Sequence, residues 1–386
     1  MQHCLTLTVS RAGEQGVSHG RFVGNRIRRE SGQESSVSWM AGKMKKDVRS
    51  SLPLRAFVFL LAVAGSYPDQ GSGAEQFPSF ENFRELEGIR EPSGVVQLPD
   101  GRLLIVQDEA KRPFSFVSLD PDGNLHPQPL RREPLLLGWG GLRGLGKLDD
   151  LEAMAIDKHG YVYAITSHSR TERTGRLSTA RQKLVRFRIE GERVMDSAVA
   201  PPLKNAIAAC DPVLAEAAKT KGSGETGGLN IEGLAFSKDY SQLWLGFRCP
   251  LKDGRAIILA IENPQETFEN QTPRLAEQEI LLDLDGAGIR GLAYAPQLDG
   301  YLILAAREEN KKSPFTLWFW SGKRSDDARK VQIKGLKDLR RAEGITPVKL
   351  GDAEGIVIFS DEGESKRGEP ARYILLQYKQ LSVSNE

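Results

Sequence analysis

Acidic and basic side chains recur at matching places along this 386-residue chain. Glu152, Glu232, Arg290 and Glu343 each open a short apolar segment. Asp108-Glu109, Ser167-His168-Ser169-Arg170, Arg248, Arg307-Glu308 and Asp361-Glu362 each close the apolar segment that follows. If the two segments pair as antiparallel strands, the start of one lies beside the end of the other, and all of these groups gather at one end of the fold. Carboxylates and guanidinium groups converging there suit an anionic ligand, a hard cation such as Ca2+ or Mg2+, or both. The expected ligand-binding set is Glu152, His168, Arg170, Glu232, Arg248, Arg307 and Glu343, and the expected metal set is Asp108, Glu109, Asp361 and Glu362. His168 is the one histidine among them. With no second His or Cys at ligand spacing it does not make a zinc site, which leaves it the roles of general base or phosphate donor. His168 and Glu232 are therefore the candidates for catalysis. The loop Arg170–Arg181 (RTERTGRLSTAR) adds four arginines, suited to bidentate recognition of phosphate or carboxylate or simply to solvation. The same charges equally serve as ion pairs between neighbouring structural units, and the residue types leave both uses open.

The elements that must position these groups form a repeat. Gly228–Pro264 reads as three strands, Ile231–Ser237, Gln242–Phe247 and Ala256–Glu262, separated by turn residues and left at Asn263-Pro264. Four further units share the plan: one from Gly88, one from Leu151, one from Gly288 and one from Glu343. Weaker apolar stretches at Pro134–Leu137, Val194–Val199, Glu279–Leu284 and Val331–Ile333 supply fourth, outer strands. Four-stranded units at a period of tens of residues predict an all-β chain folded as a β-propeller. Five blades are visible, with room for a sixth in Leu125–Gly146 or Pro201–Gly227, and Phe77–Leu86 is available to close the ring. Gly94, Gly233, Gly291 and Gly344 fall in first strands, where blades crowd round the channel; a β-sandwich gives no reason for them. Asp211–Lys219 is the one helix-like run, with Asp211 as N-cap and Pro212 at the first helical position. Leu137–Gly146 is glycine-rich but lacks the Lys-Ser/Thr and helix of a phosphate loop.

Residues 1–43 are polar and basic with no apolar periodicity and predict no fold. From Met44, Lys45, Lys46, Arg49 and Arg55 precede the apolar run Ala56–Ala64, and small residues follow to Ala74. That is the layout of a secretory signal over residues 44–74, with translation expected to begin at Met44. The run is too short to span a bilayer, and Ser66 stands where a lipid anchor needs cysteine. The expectation is a secreted or periplasmic protein whose propeller occupies residues 77–381. The first 74 residues hold ten basic and five acidic side chains, so the remainder carries 43 basic against 46 acidic. A slightly negative body removes the case for nucleic-acid binding. Cys210 and Cys249 pair or remain free thiols; their spacing decides neither. No CxxC, HExxH, GxSxG, P-loop or dinucleotide fingerprint is present.

The ordered motifs DLEAMA…SHSRTERTGR, GLNIEGLAF…LWLGFRCPL…ENP, GIRGLAY…YLILAA…LWFWSG and EGI…FSDEGE resemble an uncharacterised bacterial family, domain of unknown function 3616, over about residues 80–380. The resemblance implies a propeller-like, secreted protein and carries no activity. This chain departs from the family at Arg90-Glu91-Pro92-Ser93, where a Cys-Asp-Ala-Ser-like start is usual, and at Cys249, where Asn or Ser is. Residues and resemblance together predict a monomeric ligand-binding module for a small anionic molecule, an envelope glycan or a protein. The alternative is a metal-assisted hydrolase of phosphoesters or esters, by analogy with phytase-like and esterase-like propellers.

Overall fold

Apolar residues on both faces of a strand bury it between two layers, and that is how most strands of this chain read: AIILAI, for example, is buried at all six positions. The computed structural model describes residues 76–107, 113–129, 145–171, 174–222, 227–269, 272–307, 314–362 and 369–384. The leader, the signal-like run and Asp108-Glu109 lie outside the described residues.

After β1 (Arg84–Leu86) the first blade is built from β2 (Pro92–Gln97), β3 (Leu103–Gln107), β4 (Phe114–Leu119) and β5 (Leu125–Pro129). The second has β6 (Leu151–Ile156), β7 (Tyr161–Thr166), β8 (Leu184–Glu190) and β9 (Arg193–Val199). Two short helices follow, α1 (Lys204–Cys210) and α2 (Pro212–Ala217). The third blade is β10 (Asn230–Phe236), β11 (Leu243–Cys249), β12 (Ala256–Ile261) and β13 (Ile280–Leu282). The fourth is β14 (Gly288–Ala295), β15 (Gly300–Ala306), β16 (Thr316–Trp320) and β17 (Arg329–Ile333). The fifth is β18 (Ala342–Leu350), β19 (Ala353–Ser360) and β20 (Ala371–Leu376), completed by β1 against β20. Every pairing is antiparallel. The inner strands β2, β6, β10, β14 and β18 contact one another in order and β18 returns to β2, closing a five-bladed β-propeller.

Two clasps hold the ring. The N-terminal strand β1 supplies the outer strand of the last blade, as the sequence predicts. A C-terminal strand, β21 (Leu381–Val383), adds a fifth strand to the fourth blade beside β17, which the sequence does not announce. The fourth strand of the first blade is Leu125–Pro129, upstream of the expected Pro134–Leu137, which lies outside the described residues. Leu125–Pro129 and the helices at Lys204–Ala217 occupy the described parts of the two stretches considered for a sixth blade.

Apolar packing lies between blades. Five buried clusters fill the five seams. Because side chains alternate along a strand, β12 sends Ile257, Leu259 and Ile261 into the seam with the second blade and Ala256, Ile258 and Ala260 into the seam with the fourth. Near the axis there is no room for a side chain: a Cβ on Gly94 would lie 3.0 Å from the Ala153 Cα of the next blade. Asp211 caps α2 by accepting from the Val213 amide at 2.7 Å, with Pro212 first in the helix. The helices pack Ile207, Leu214 and Ala217 onto the seam between blades two and three. Cys210 and Cys249 are both free thiols.

Candidate site at the bulged end of the channel

Each inner strand carries a β-bulge near its start, and the extra residue is a polar one in all five blades. Pro92 and Gly94 pair with Gln107 and Val106, so Ser93 is left over. By the same count the bulged residues are Glu152, Glu232, Arg290 and Glu343. A bulge re-aims one side chain without disturbing the buried alternation on either side of it, and bulges collect at barrel rims and active sites. Here the shift falls at the same level in every blade, at the end where first strands begin. Ser93, Glu152, Glu232 and Arg290 are all less than a tenth exposed.

Arg290 is the keystone of this ring. Its Nη1 donates to Glu232 Oε2 at 2.7 Å and its Nη2 to Glu343 Oε1 at 2.7 Å, so one guanidinium joins blades three, four and five. Its plane lies over the Phe315 ring, 5.3 Å from the centroid. Glu232 also accepts from Arg248 Nη1 at 2.8 Å and Asn230 Nδ2 at 2.8 Å. The two carboxylates therefore sit in unequal surroundings. Burial opposes ionisation of Glu232, but Arg248 and Arg290 outweigh it and hold the carboxyl below its usual range. Burial also works on Glu343, which hydrogen-bonds Arg290 and faces the charges of Glu232 and Asp361; its carboxyl is pushed up to about 7. Its second oxygen accepts no hydrogen bond from any described residue.

His168 follows β7 with a left-handed backbone, φ 62°. Its Nδ1 lies 2.8 Å from the Thr166 carbonyl, which can only accept, so the proton sits on Nδ1. Nε2 is buried with no hydrogen-bond partner. Burial drives the imidazole pKa down to about 4, keeping the ring neutral. Beside it is a network the sequence reading missed. Asp150 accepts from the Ser167 hydroxyl, from Ser169 Oγ at 3.1 Å and from Arg181 Nη2 at 2.8 Å. Asp150 has φ 64° and precedes β6, as an acidic residue in a turn tolerates.

The other expected residues are committed to local structure. Arg170 donates to the carbonyls of Ala218 and Gly175, both at 3.1 Å, tying its loop to the end of α2. Arg307 is exposed and donates to the Asp285 carbonyl at 2.6 Å. Asp361 pairs with Arg341 at 3.0 Å, and Glu362 with Arg340. Oxygens neutralised by arginine do not make the six- to eight-oxygen shell of Ca2+, and among the described residues no cluster of three His, Cys, Asp or Glu is placed to hold a metal. Glu152 is buried in the ring with its own interactions. The structure thus brings Glu152, Glu232, Arg248 and Glu343 to one channel end, adds Ser93 and Arg290, and leaves Arg170 and Arg307 in connections.

Fold and bulged ring define a five-bladed β-propeller with an ion-paired channel mouth. Residues 203–375, from the helices through the fifth blade, match the family described as Protein of unknown function (DUF3616), the one its motifs resemble. No curated protein matches the sequence. Among solved structures the chain is similar to the PQQ-bound aldose sugar dehydrogenase of Streptomyces coelicolor, at 14% identity over 78% of this chain and 98% of that one, TM-score 0.38. It is similar to the PQQ domain of pyranose dehydrogenase from Coprinopsis cinerea, at 10% identity over 78% and 96%, TM-score 0.41. A third is the Malassezia sympodialis allergen Mala s 1, at 14% identity over 76% and 79%, TM-score 0.36. At these scores the likenesses add nothing to what the five sheets establish. No helix among the described residues is long and apolar enough to cross a membrane.

Proposed function

We propose that the protein is an exported binding module whose bulged channel end recognises a neutral, hydroxyl-rich ligand of the envelope-glycan kind. The observation that carries this reading is Glu343: a carboxyl at the channel mouth, raised toward neutrality, with one oxygen that no described residue satisfies. Glu343 is half-buried, so that oxygen can accept from a hydroxyl donor that reaches the channel mouth. With Glu343 near neutrality, the carboxylates of Glu152 and Glu232 balance the guanidinium groups of Arg248 and Arg290, so these described residues offer an anion no excess positive charge and suit hydroxyl donors. Export rests on the basic-then-apolar run after Met44. The hydrolase alternative would require Asp361 and Glu362 to release Arg341 and Arg340 before taking Ca2+ or Mg2+.

Titration of the full mature chain with neutral oligosaccharides by calorimetry tests the reading. Saturable binding that weakens in Glu343→Gln supports it. Binding of phosphorylated but not neutral sugars, or a Ca2+-dependent rise in unfolding temperature that EDTA reverses, would move the reading to the hydrolase.

A further inference from the structure

At the other end of the channel, beyond the bulges, the inner strands line a half-open cavity of about 250 Å³. Its walls come from the later parts of all five inner strands, including Val95, Met154, Leu234, Leu292 and Ile345. An apolar cavity of about 150 Å³ accepts benzene, so this one holds a single substituted ring. Two features make it a site rather than a gap. Thr346 lines it, is 8% exposed, and its hydroxyl bonds to no described residue. The hydroxyls of Tyr240 and Tyr378, which also line it, likewise bond to no described residue. Its charged lining is already neutralised: Lys238 pairs with Asp299 at 2.6 Å and Lys349 with Glu354 at 2.5 Å. Among the described residues an anion would find no free cation there, and a cation no free carboxylate.

We propose that this cavity is a second binding site, distinct from the bulged ring, for an uncharged monocyclic molecule with one hydrogen-bonding oxygen, such as a phenol or a cyclic alcohol. The ring fills the apolar wall, and the oxygen replaces water against the hydroxyls of Thr346 and Tyr378.

The test uses 4-fluorophenol as probe and 4-fluorobenzoate as its charged counterpart, each followed by fluorine NMR on the full mature chain. The expected result is saturable broadening with the phenol and none with the benzoate. Thr346→Val and Tyr378→Phe keep shape and remove a hydroxyl; at least one should weaken phenol binding roughly five-fold, the worth of one neutral hydrogen bond. Ile156→Trp adds bulk at a half-buried lining position and should abolish binding while the chain stays folded. Unsaturable phenol signals, meaning water alone occupies the cavity, overturn the proposal. So do equal binding of the benzoate and binding indifferent to all three substitutions. Folding of each variant is checked by its unfolding transition, and the two hydroxyl deletions keep the test decisive if the tryptophan variant does not fold.

Discussion

The two ends of the channel are built from the same five strands and differ in almost every physical respect. Where the strands begin, a bulge in each blade turns one polar side chain out of the apolar alternation, and the result is a tightly paired, buried charge ring around Arg290. Where the strands end, the alternation is undisturbed, and the walls are apolar with unsatisfied hydroxyls. One end is over-determined by electrostatics and the other is loosely filled. A single register shift, repeated five times, is enough to separate a polar mouth from an apolar one.

That contrast is broken most severely at Arg290. Arg290→Met removes the guanidinium that hydrogen-bonds both Glu232 and Glu343 and leaves the buried Glu232 and the half-buried Glu343 each short of a partner, which costs about 3–5 kcal/mol. Urea unfolding measures it, and a loss under 1 kcal/mol would mean that the ring is not buried as described. Next in size is crowding at the same level. A Cβ on Gly291 would lie 2.8 Å from the Glu343 carbonyl oxygen, so Gly291→Ala should cost about 1–3 kcal/mol in the same assay.

Titration sharpens the comparison within the bulged end. His168, depressed to about 4, binds fewer protons folded than unfolded between about pH 4 and 6.5, so it makes stability rise with pH across that window. Glu343, raised to about 7, binds more protons folded, so it makes stability fall as pH rises from about 4.5 to 7. The two slopes oppose each other in wild type. His168→Asn, whose side chain tolerates the positive φ, should expose the falling slope, and Glu343→Gln the rising one. Chemical denaturation at half-unit pH steps reads both; variants that leave the wild-type profile unchanged would show these groups to be solvated. The smallest effect belongs to the apolar end. Thr346→Val should change stability by no more than about 0.5 kcal/mol, because its hydroxyl gives up no protein partner.

Much of this was legible from residues. The Glu-Gly and Arg-Gly pairs at Glu232, Arg290 and Glu343 marked the start of inner strands, and continuous apolar runs marked strands buried on both faces. The bulge itself was not, because one extra residue in a six- to nine-residue strand is hidden in a period-two pattern. Ser93 went unnoticed for that reason, although it precedes Gly94 as Glu232 precedes Gly233. Arg290 was visible as a charge, but its bridging of three blades depends on distances between units that no spacing encodes. Asp150 and Arg181 meet only because the chain turns through left-handed backbone at Asp150 and His168. The strand β21 is three residues long and carries too little pattern, and the residue that precedes α1, Leu203, offers no side-chain cap. The cavity escaped because apolar strand ends look alike whether they meet or leave a gap.

The most direct test asks which end of the channel responds to a neutral oligosaccharide. Amide chemical shifts of the isotope-labelled protein, followed through a titration, report this residue by residue. Shifts concentrated at Ser93, Glu152, Glu232, Arg290 and Glu343, with Val95, Leu292 and Thr346 still, are the predicted outcome. Shifts confined to the apolar cavity, or none in either place, would contradict the assignment of the bulged ring as the principal binding site.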